Sequence, residues 1–254
     1  MSDRSAPPSA ASEPILRVLT WNLERKNPQS GLGATAVAHL RSLDPDVMVL
    51  TETRTTFEVG EGHALWAGKP AGDWFNQDER KVLIWSKQPW TATAVSSSVD
   101  IDQARYVTAS TETPIGEVTV LGVCIPWHMA EVTHRTGHKR KPWELHLEYI
   151  EVLAELIART TGPVVVAGDF NQQVPRAKYG NHAAALALAS AFEPLAILTR
   201  GTIPGCDRQG IDHIAVSNDL SAISVAGWRN KVNEARMSDH DGAVVEVRRQ
   251  ELKS

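Results

Sequence analysis

The chain predicts an α/β fold in which two stacked sheets carry helices on their outer faces. Three observations support it. Short apolar runs rich in Val, Ile and Leu recur along the whole length, as expected of strands buried on both faces. Three stretches between them show helical spacing. The late runs follow one another at hairpin separation, which suits two packed sheets better than one open sheet.

The elements follow in order. Residues 16–21 (LRVLTW) read as a strand running into a Pro/Gly-containing loop. Over 34–43, Val37, Leu40 and Leu43 share one side of a helix that Asp44-Pro45 stops, because a residue ahead of proline is pushed out of the helical region. Residues 46–51 (DVMVLT) form a continuous apolar run, and further strands are expected at 81–85, 106–110 and 118–125. The clearest helix covers 143–157. Trp143, Leu147, Ile150, Leu153, Ala154 and Ile157 make its apolar stripe, and Glu144, Glu148, Glu151 and Glu155 take other faces. Gly162-Pro163 ends it and leads into a strand at 164–167. An Ala-rich helix at 181–191 and strands at 211–216, 223–227 and 243–247 complete the chain.

At 254 residues the chain is long enough for one large α/β unit, and no linker, repeat or low-complexity block divides it. The expected organisation is a single domain over 15–250, preceded by a Ser/Ala/Pro-rich, disordered lead-in over 1–14. The lead-in lacks the apolar core of a signal peptide. No later run approaches the ~20 apolar residues a membrane helix needs, so no membrane span is expected. Cys124 lies in an apolar run and Cys206 in a Gly/Pro loop. Whether they pair is open, but two such cysteines make no secreted framework, and the cytoplasm is the expected compartment. The net charge of −4 argues against a dedicated duplex-DNA binder, whose contact face is usually basic. A bound metal would alter that balance locally. A monomer is the default.

Polar groups punctuate the apolar runs at their ends: Asn22, Glu52, Asp169 with Asn171, Asp212, and Asp239 with His240. Such groups can converge on one edge of a sheet, where α/β folds keep their sites. Hard oxygen donors with one histidine suit a divalent metal acting on a phosphate ester. Glu52 is the best metal ligand among them, its bland alternative being a strand-end surface charge. The Asn22 amide can orient a metal-bound water or a neighbouring carboxylate, or simply form a turn. Asp169 and Asn171 alternate across Phe170, so an extended chain would point both one way. The alternative is an Asx turn capping the strand. Asp212 beside His240 would raise the imidazole pKa and fix the ring, whose protonated form can donate to a phosphate oxygen. His213 should face away from Asp212 and is left outside the site. One basic stretch stands out between residues 128 and 142, with His134, Arg135, His138, Lys139, Arg140 and Lys141. It fits either a solvated connection or a phosphate-recognition loop, with Trp127 and Trp143 at its flanks able to stack on a base or a lipid face. For Trp143, core packing is the expected job.

Taken together and in this order, TWNL around Asn22, LTET around Glu52, GDFN, IDH around Asp212 and the final SDH resemble the endonuclease/exonuclease/phosphatase superfamily, the group of deoxyribonuclease I and exonuclease III. The resemblance runs from about residue 16 to about residue 247. It implies a four-layer α/β sandwich, two packed mixed sheets flanked by helices, with the site at one end. It also implies a hydrolase of phosphoester bonds that uses Mg²⁺ or Mn²⁺. On this resemblance Asp169, Asn171, Asp212 and His240 are catalytic, Asp169 serving the attacking water and Asn171 a phosphate oxygen. Asn22, Glu52 and Asp239 lie at the metal, and His128, Lys139, Arg140 and Lys141 contact substrate. Whether His240 or Asp169 takes the water's proton stays open. Family members often carry Tyr or His on the strand ahead of Pro126, where this chain has Cys124, and His128 is the residue that could replace it. A phosphodiester in DNA or RNA is the leading substrate, and an inositol phosphate or phospholipid head group the alternative. An idle binding member is disfavoured, because a scaffold has no need of the whole set.

Overall fold

The computed structural model describes residues 13–70, 75–93, 104–132, 140–232 and 234–250. Its first half contains β1 (Leu16–Asn22), α1 (Gly31–Ser42), β2 (Val47–Arg54), β3 (His63–Trp66), β4 (Glu79–Ser86), β5 (Trp90–Thr93), β6 (Tyr106–Thr113) and β7 (Gly116–Cys124). The second half contains α2 (Glu144–Arg159), β8 (Val164–Asp169), α3 (His182–Ala191), β9 (Leu195–Ile197), β10 (Asp212–Ser217), β11 (Leu220–Trp228), β12 (Lys231–Val232), β13 (Ala235–Arg236) and β14 (Gly242–Arg249). One six-stranded sheet has the order β11-β14-β1-β2-β4-β3 and the other β5-β6-β7-β8-β10-β9, while β12 and β13 form a separate ribbon.

Each sheet is built round one parallel pair, β1 with β2 and β7 with β8, and antiparallel strands flank it. Helix α1 connects the first pair and α2 the second, as parallel strands require. Alternation along the strands then sorts the apolar side chains into layers. Val47 and Val49 of β2 meet Val165 and Ala167 of β8 between the sheets. Met48 and Leu50 face outward onto Val37 and Leu40 of α1. Val164 and Val166 face the other way onto Ile150, Leu153 and Leu156 of α2 and Leu188 of α3. Three apolar layers thus separate four layers of structure, as the sequence led us to expect.

Helix α1 starts where Ser30 accepts from Gly33 N, and α3 where Asn181 accepts from Ala184 N. The expected start of α2 differs. Trp143 is not the first residue of its apolar stripe but stands outside the helix in a left-handed conformation, φ 72°, and is half-buried. No helix among the described residues is long and apolar enough to cross a membrane. Cys124 and Cys206 are both free. Residues 1–12 of the expected lead-in, and His134, Arg135, His138 and Lys139 of the basic stretch, lie outside the described residues. Glu13, which is described, pairs with Arg248 at 2.5 Å.

This topology places the site. The carboxyl ends of both parallel pairs emerge at the same edge of the sandwich, and the antiparallel neighbours β10 and β14 begin there. The backbone makes room at that edge: Gly168, one residue before Asp169, has φ 135°, and a Cβ there would meet the Val123 carbonyl oxygen at 1.9 Å. Gly168→Ala should therefore destabilise the protein by about 3 kcal/mol, through a strained φ and a backbone clash together. Urea unfolding followed by circular dichroism measures this, and a loss below about 0.5 kcal/mol would show that the strand ends relax freely.

Candidate active site

Asn22 ends β1, Glu52 stands near the end of β2 and Asp169 ends β8. Asp212 is the first residue of β10 rather than the last of a strand. It meets the others because β10 runs antiparallel to β8, with Asp212 opposite Asp169. His240 precedes β14, which runs antiparallel to β1. Sheet polarity alone thus gathers residues 22, 52, 169, 212 and 240 at one edge.

Their hydrogen bonds cross between the sheets. Asn22 Nδ2 donates to Asp169 Oδ2 (3.2 Å), and Asn22 Oδ1 accepts from Glu24 N (2.9 Å). Asn171 is not extended: its φ is 52° and its backbone N–H donates to Asp169 Oδ1 (2.9 Å), the Asx turn that was the plainer reading. The Asn171 amide donates to Asp169 Oδ2 (2.9 Å) and to Ile125 O (2.9 Å), so both its N–H groups serve to hold the carboxylate and the end of β7. His240 Nδ1 donates to Asp212 Oδ2 (2.5 Å). The segment before β14 is fastened from below, with Ser238 Oγ donating to Asn22 O (2.6 Å), and Trp21 Nε1 donating to His240 O (2.9 Å).

Electrostatics divide the titratable groups. Burial would lower the His240 pKa, but the charges of Asp212 and Asp169 overcome it and push the imidazole up to about 10. His240 is therefore charged at neutral pH, with Nδ1 committed to Asp212 and Nε2 left to face the cleft. Burial pushes Asp169 up to about 7, against the attraction of His240. Burial would also raise Glu52, but the charge and hydrogen bond of Lys81 and the charge of Arg25 hold it below the usual carboxylate range. Lys81 Nζ donates to Glu52 Oε1 (2.8 Å) and Arg25 approaches Oε2 (3.3 Å). Glu52 also has a left-handed φ of 46°, which interrupts the regular strand at this residue.

One group of side chains among the described residues could hold a metal ion. Ligand atoms of Asp169, Asp212 and His240 all lie within 4.8 Å of one another. The His240 proton offsets one of its two carboxylates, and Asp212 Oδ1 is buried without a hydrogen-bond partner. The metal residues expected from the sequence are Glu52 and Asn22, both partly or fully buried, and the exposed Asp239. The hard carboxylate oxygens of Glu52 suit a divalent ion, which would have to replace the Lys81 and Arg25 charges now paired with them. Asp239 lies 3.8 Å from His240 Nε2. Arg208 stands in the cleft beside them, its guanidinium donating to Asp239 O (3.1 Å).

The expected substrate residues are spread more widely. His128 is half-buried, with Nδ1 3.0 Å from the Tyr179 hydroxyl. Arg140 is tied to Glu148 (2.7 Å) and Glu131 (3.0 Å), which neutralise it. Lys141 is exposed, and Lys139 is outside the described residues. Cys124 belongs to the core between the sheets, and burial pushes its thiol up to about 12, leaving it inert. His213, left out from the sequence, is buried and hydrogen-bonded to Thr199 and Gln172. Sequence reasoning missed Arg25, Lys81, Tyr179 and Arg208. Arg25, three residues after Asn22, and Arg208, four before Asp212, stood close enough to recognised motifs to be found.

Residues 19–240 match the model of the endonuclease/exonuclease/phosphatase family. An AP endonuclease from Archaeoglobus fulgidus has a TM-score of 0.66 at 16% identity, covering 91% of this chain and 98% of that one. A humanised D. rerio TDP2 has a TM-score of 0.68 at 12% identity, covering 92% and 98%. The 3′ phosphatase NExo from Neisseria, bound to a product DNA hairpin, has a TM-score of 0.62 at 15% identity, covering 91% and 98%. At such identities the likeness is one of fold. None of the curated proteins matches the chain.

A raised His240 pKa has a defined consequence. Because it lies above the ordinary value of 6.5, its ion pairs stabilise the fold fully below pH 6.5, and that contribution fades as pH rises through about 10. Asp212→Asn removes the nearest charge, so the His240 ring should then titrate well below the wild-type value, as read from its Cε1 proton by NMR. An unmoved titration would show that Asp212 does not hold the proton.

Proposed function

The chain belongs to the endonuclease/exonuclease/phosphatase family of phosphoester hydrolases, and we propose that it is a divalent-metal-dependent phosphodiesterase acting on nucleic acid. The observation that carries this reading is the convergence of Asp169, Asp212 and His240 within 4.8 Å, with Asn22 of the other sheet hydrogen-bonded to Asp169. The AP endonuclease and the DNA-bound 3′ phosphatase of the same fold support a nucleic acid as substrate. Two unpaired cysteines suit the reducing cytoplasm.

A phosphodiester resists water because its charge repels nucleophiles and its alkoxide leaves poorly. Glu52, with Asn22 and Asp239, would hold Mg²⁺ or Mn²⁺, which supplies positive charge to the phosphate oxygens when bound. The chain's own residues do the rest. Asp169, with a pKa of about 7, accepts a proton from water near neutral pH. Its oxygens are aimed by the amides of Asn22 and Asn171. His240, already protonated, cannot be that base; it donates through Nε2 to a phosphate oxygen while Asp212 keeps the ring charged and oriented. The Arg208 guanidinium also stands at the cleft, paired with Asp241 (3.4 Å).

A small phosphoester is the second reading. The net charge of −4 and the internal pairing of Arg140 favour it, because both weaken attraction for a long anionic strand. A panel of plasmid DNA, oligonucleotides with and without abasic sites, RNA, inositol phosphates and sphingomyelin decides between the two.

Hydrolysis should require Mg²⁺ or Mn²⁺ and stop in excess chelator; full activity in chelator would overturn the reading. Glu52→Gln should raise the metal concentration for half-maximal rate by at least about tenfold. Asp169→Asn should instead lower turnover by about 100-fold or more at saturating metal. Identical behaviour of the two variants would erase the division between metal ligand and base. Asp212→Ala should add little to His240→Ala, since the carboxylate acts through the ring. Losses that multiply would separate the pair.

A further inference from the structure

Between β7 and α2 the chain displays an aromatic group that the chemistry above does not use. The Trp127 side chain is 51% exposed, the largest of the exposed apolar residues among those described. It is rooted close to the catalytic strand. Ile125 N donates to Asp169 O (2.8 Å), and Trp127 follows only two residues later, a reach of at most about 7 Å. Behind Trp127 stands a packed aromatic wall. Its indole meets the His128 ring edge-on, with centroids 5.3 Å apart at 81°. His128 lies over Trp143 at 5.4 Å and 31°, and Tyr179 closes on both rings at 5.6 and 5.9 Å. Burial and then the charge of Asp169 raise the Tyr179 phenol. Trp143 N donates to His128 O (2.7 Å), and the left-handed backbone of Trp143 holds its ring there.

We infer that Trp127 is a stacking platform for the nucleobase next to the scissile phosphate, and that the preferred substrate presents this base unpaired, as a single strand or a frayed end does. The inference rests on the nucleic-acid reading above and narrows it. A planar π-face held rigidly from behind recognises a planar ring, with little regard for which base it is. Bases inside a duplex are stacked on one another and offer no face, so the platform selects against intact duplex. Acyl chains would need a broad apolar patch. The other exposed large apolar side chains are scattered on different elements, at Ile15, Leu32, Leu186 and Ile223. The negative net charge also opposes an anionic membrane surface.

The test uses the full chain and fluorescence anisotropy in chelator, where cleavage is off. The probes are a labelled deoxyoligonucleotide about ten nucleotides long, a strand of equal length built of abasic units, and a blunt duplex of the first sequence. Trp127→Ala should weaken the single strand about tenfold, and Trp127→Phe should keep most of the affinity, because a second aromatic face restores the stack. The abasic strand should bind wild type and both variants alike, and the duplex should bind wild type more weakly than the single strand does. Unchanged affinity in Trp127→Ala, equal losses on the abasic strand, a duplex bound as well as the single strand, or no binding of the single strand by wild type would each overturn the platform. Cleavage with Mg²⁺ is scored separately. Strands that bind as expected but stay intact while an inositol phosphate is hydrolysed would sink the nuclease reading alone. Strands that are cleaved with no role for Trp127 in binding would sink the platform alone.

Discussion

The pairing of Asp212 with His240 is the interaction on which the rest of the structure depends. A carboxylate buried at the seam of a sandwich cannot stay ionised alone, and the cost of leaving it unpaired is several kcal/mol (about 3–5). Its partner comes from the other sheet, carried on the segment before β14. That segment is in turn fastened to β1 by Ser238 and Trp21. Closing the two sheets and compensating the buried charge are therefore one event. The same seam explains why Asn22, from one sheet, donates to Asp169, from the other.

Three histidines show how position sets chemistry on one scaffold. His146 and His213 are buried among neutral groups, and burial pushes both down to about 4. They remain uncharged and clamp the loop after β8 through Gln172, His146 Nε2 meeting its amide at 3.3 Å and His213 Nε2 its carbonyl at 3.2 Å. His240 is buried too, yet two carboxylates reverse the sign of its shift. A neutral floor thus lies beneath one cationic ring at the cleft, the ring whose neighbours are charged.

Much of this was legible in the sequence, for identifiable reasons. The long strands announce themselves through apolar runs, and the residues that end those runs are polar for a purpose. What escaped depends on register and backbone angles. β3, β5 and β9 are short edge or near-edge strands with three or four residues each, too few for a periodic signal. Lys81 reaches Glu52 because β2 and β4 pair antiparallel with Thr51 opposite Val82, a register that no local pattern reveals. The left-handed backbones of Glu52, Trp143 and Asn171 were equally invisible, because such angles are rare outside glycine and cost energy that the surrounding fold must offset. The position of Trp143 outside its helix was hidden for that reason, whereas the Asx turn at Asn171 had been open as the alternative to an extended chain.

The hydrogen bond from Trp143 N to His128 O has a further meaning for how such a protein can diversify. It draws together the two ends of the intervening stretch, so β7 and α2 are joined whatever lies between. Closing a longer stretch costs only slowly more entropy, about 0.6 kcal/mol for each doubling of length. A connection closed in this way can be exchanged beside the cluster of Asp169, Asp212 and His240. Insertions there can acquire new recognition surfaces without disturbing the carboxylates or the sheets, and evolution or a protein engineer can retune selectivity at that one place.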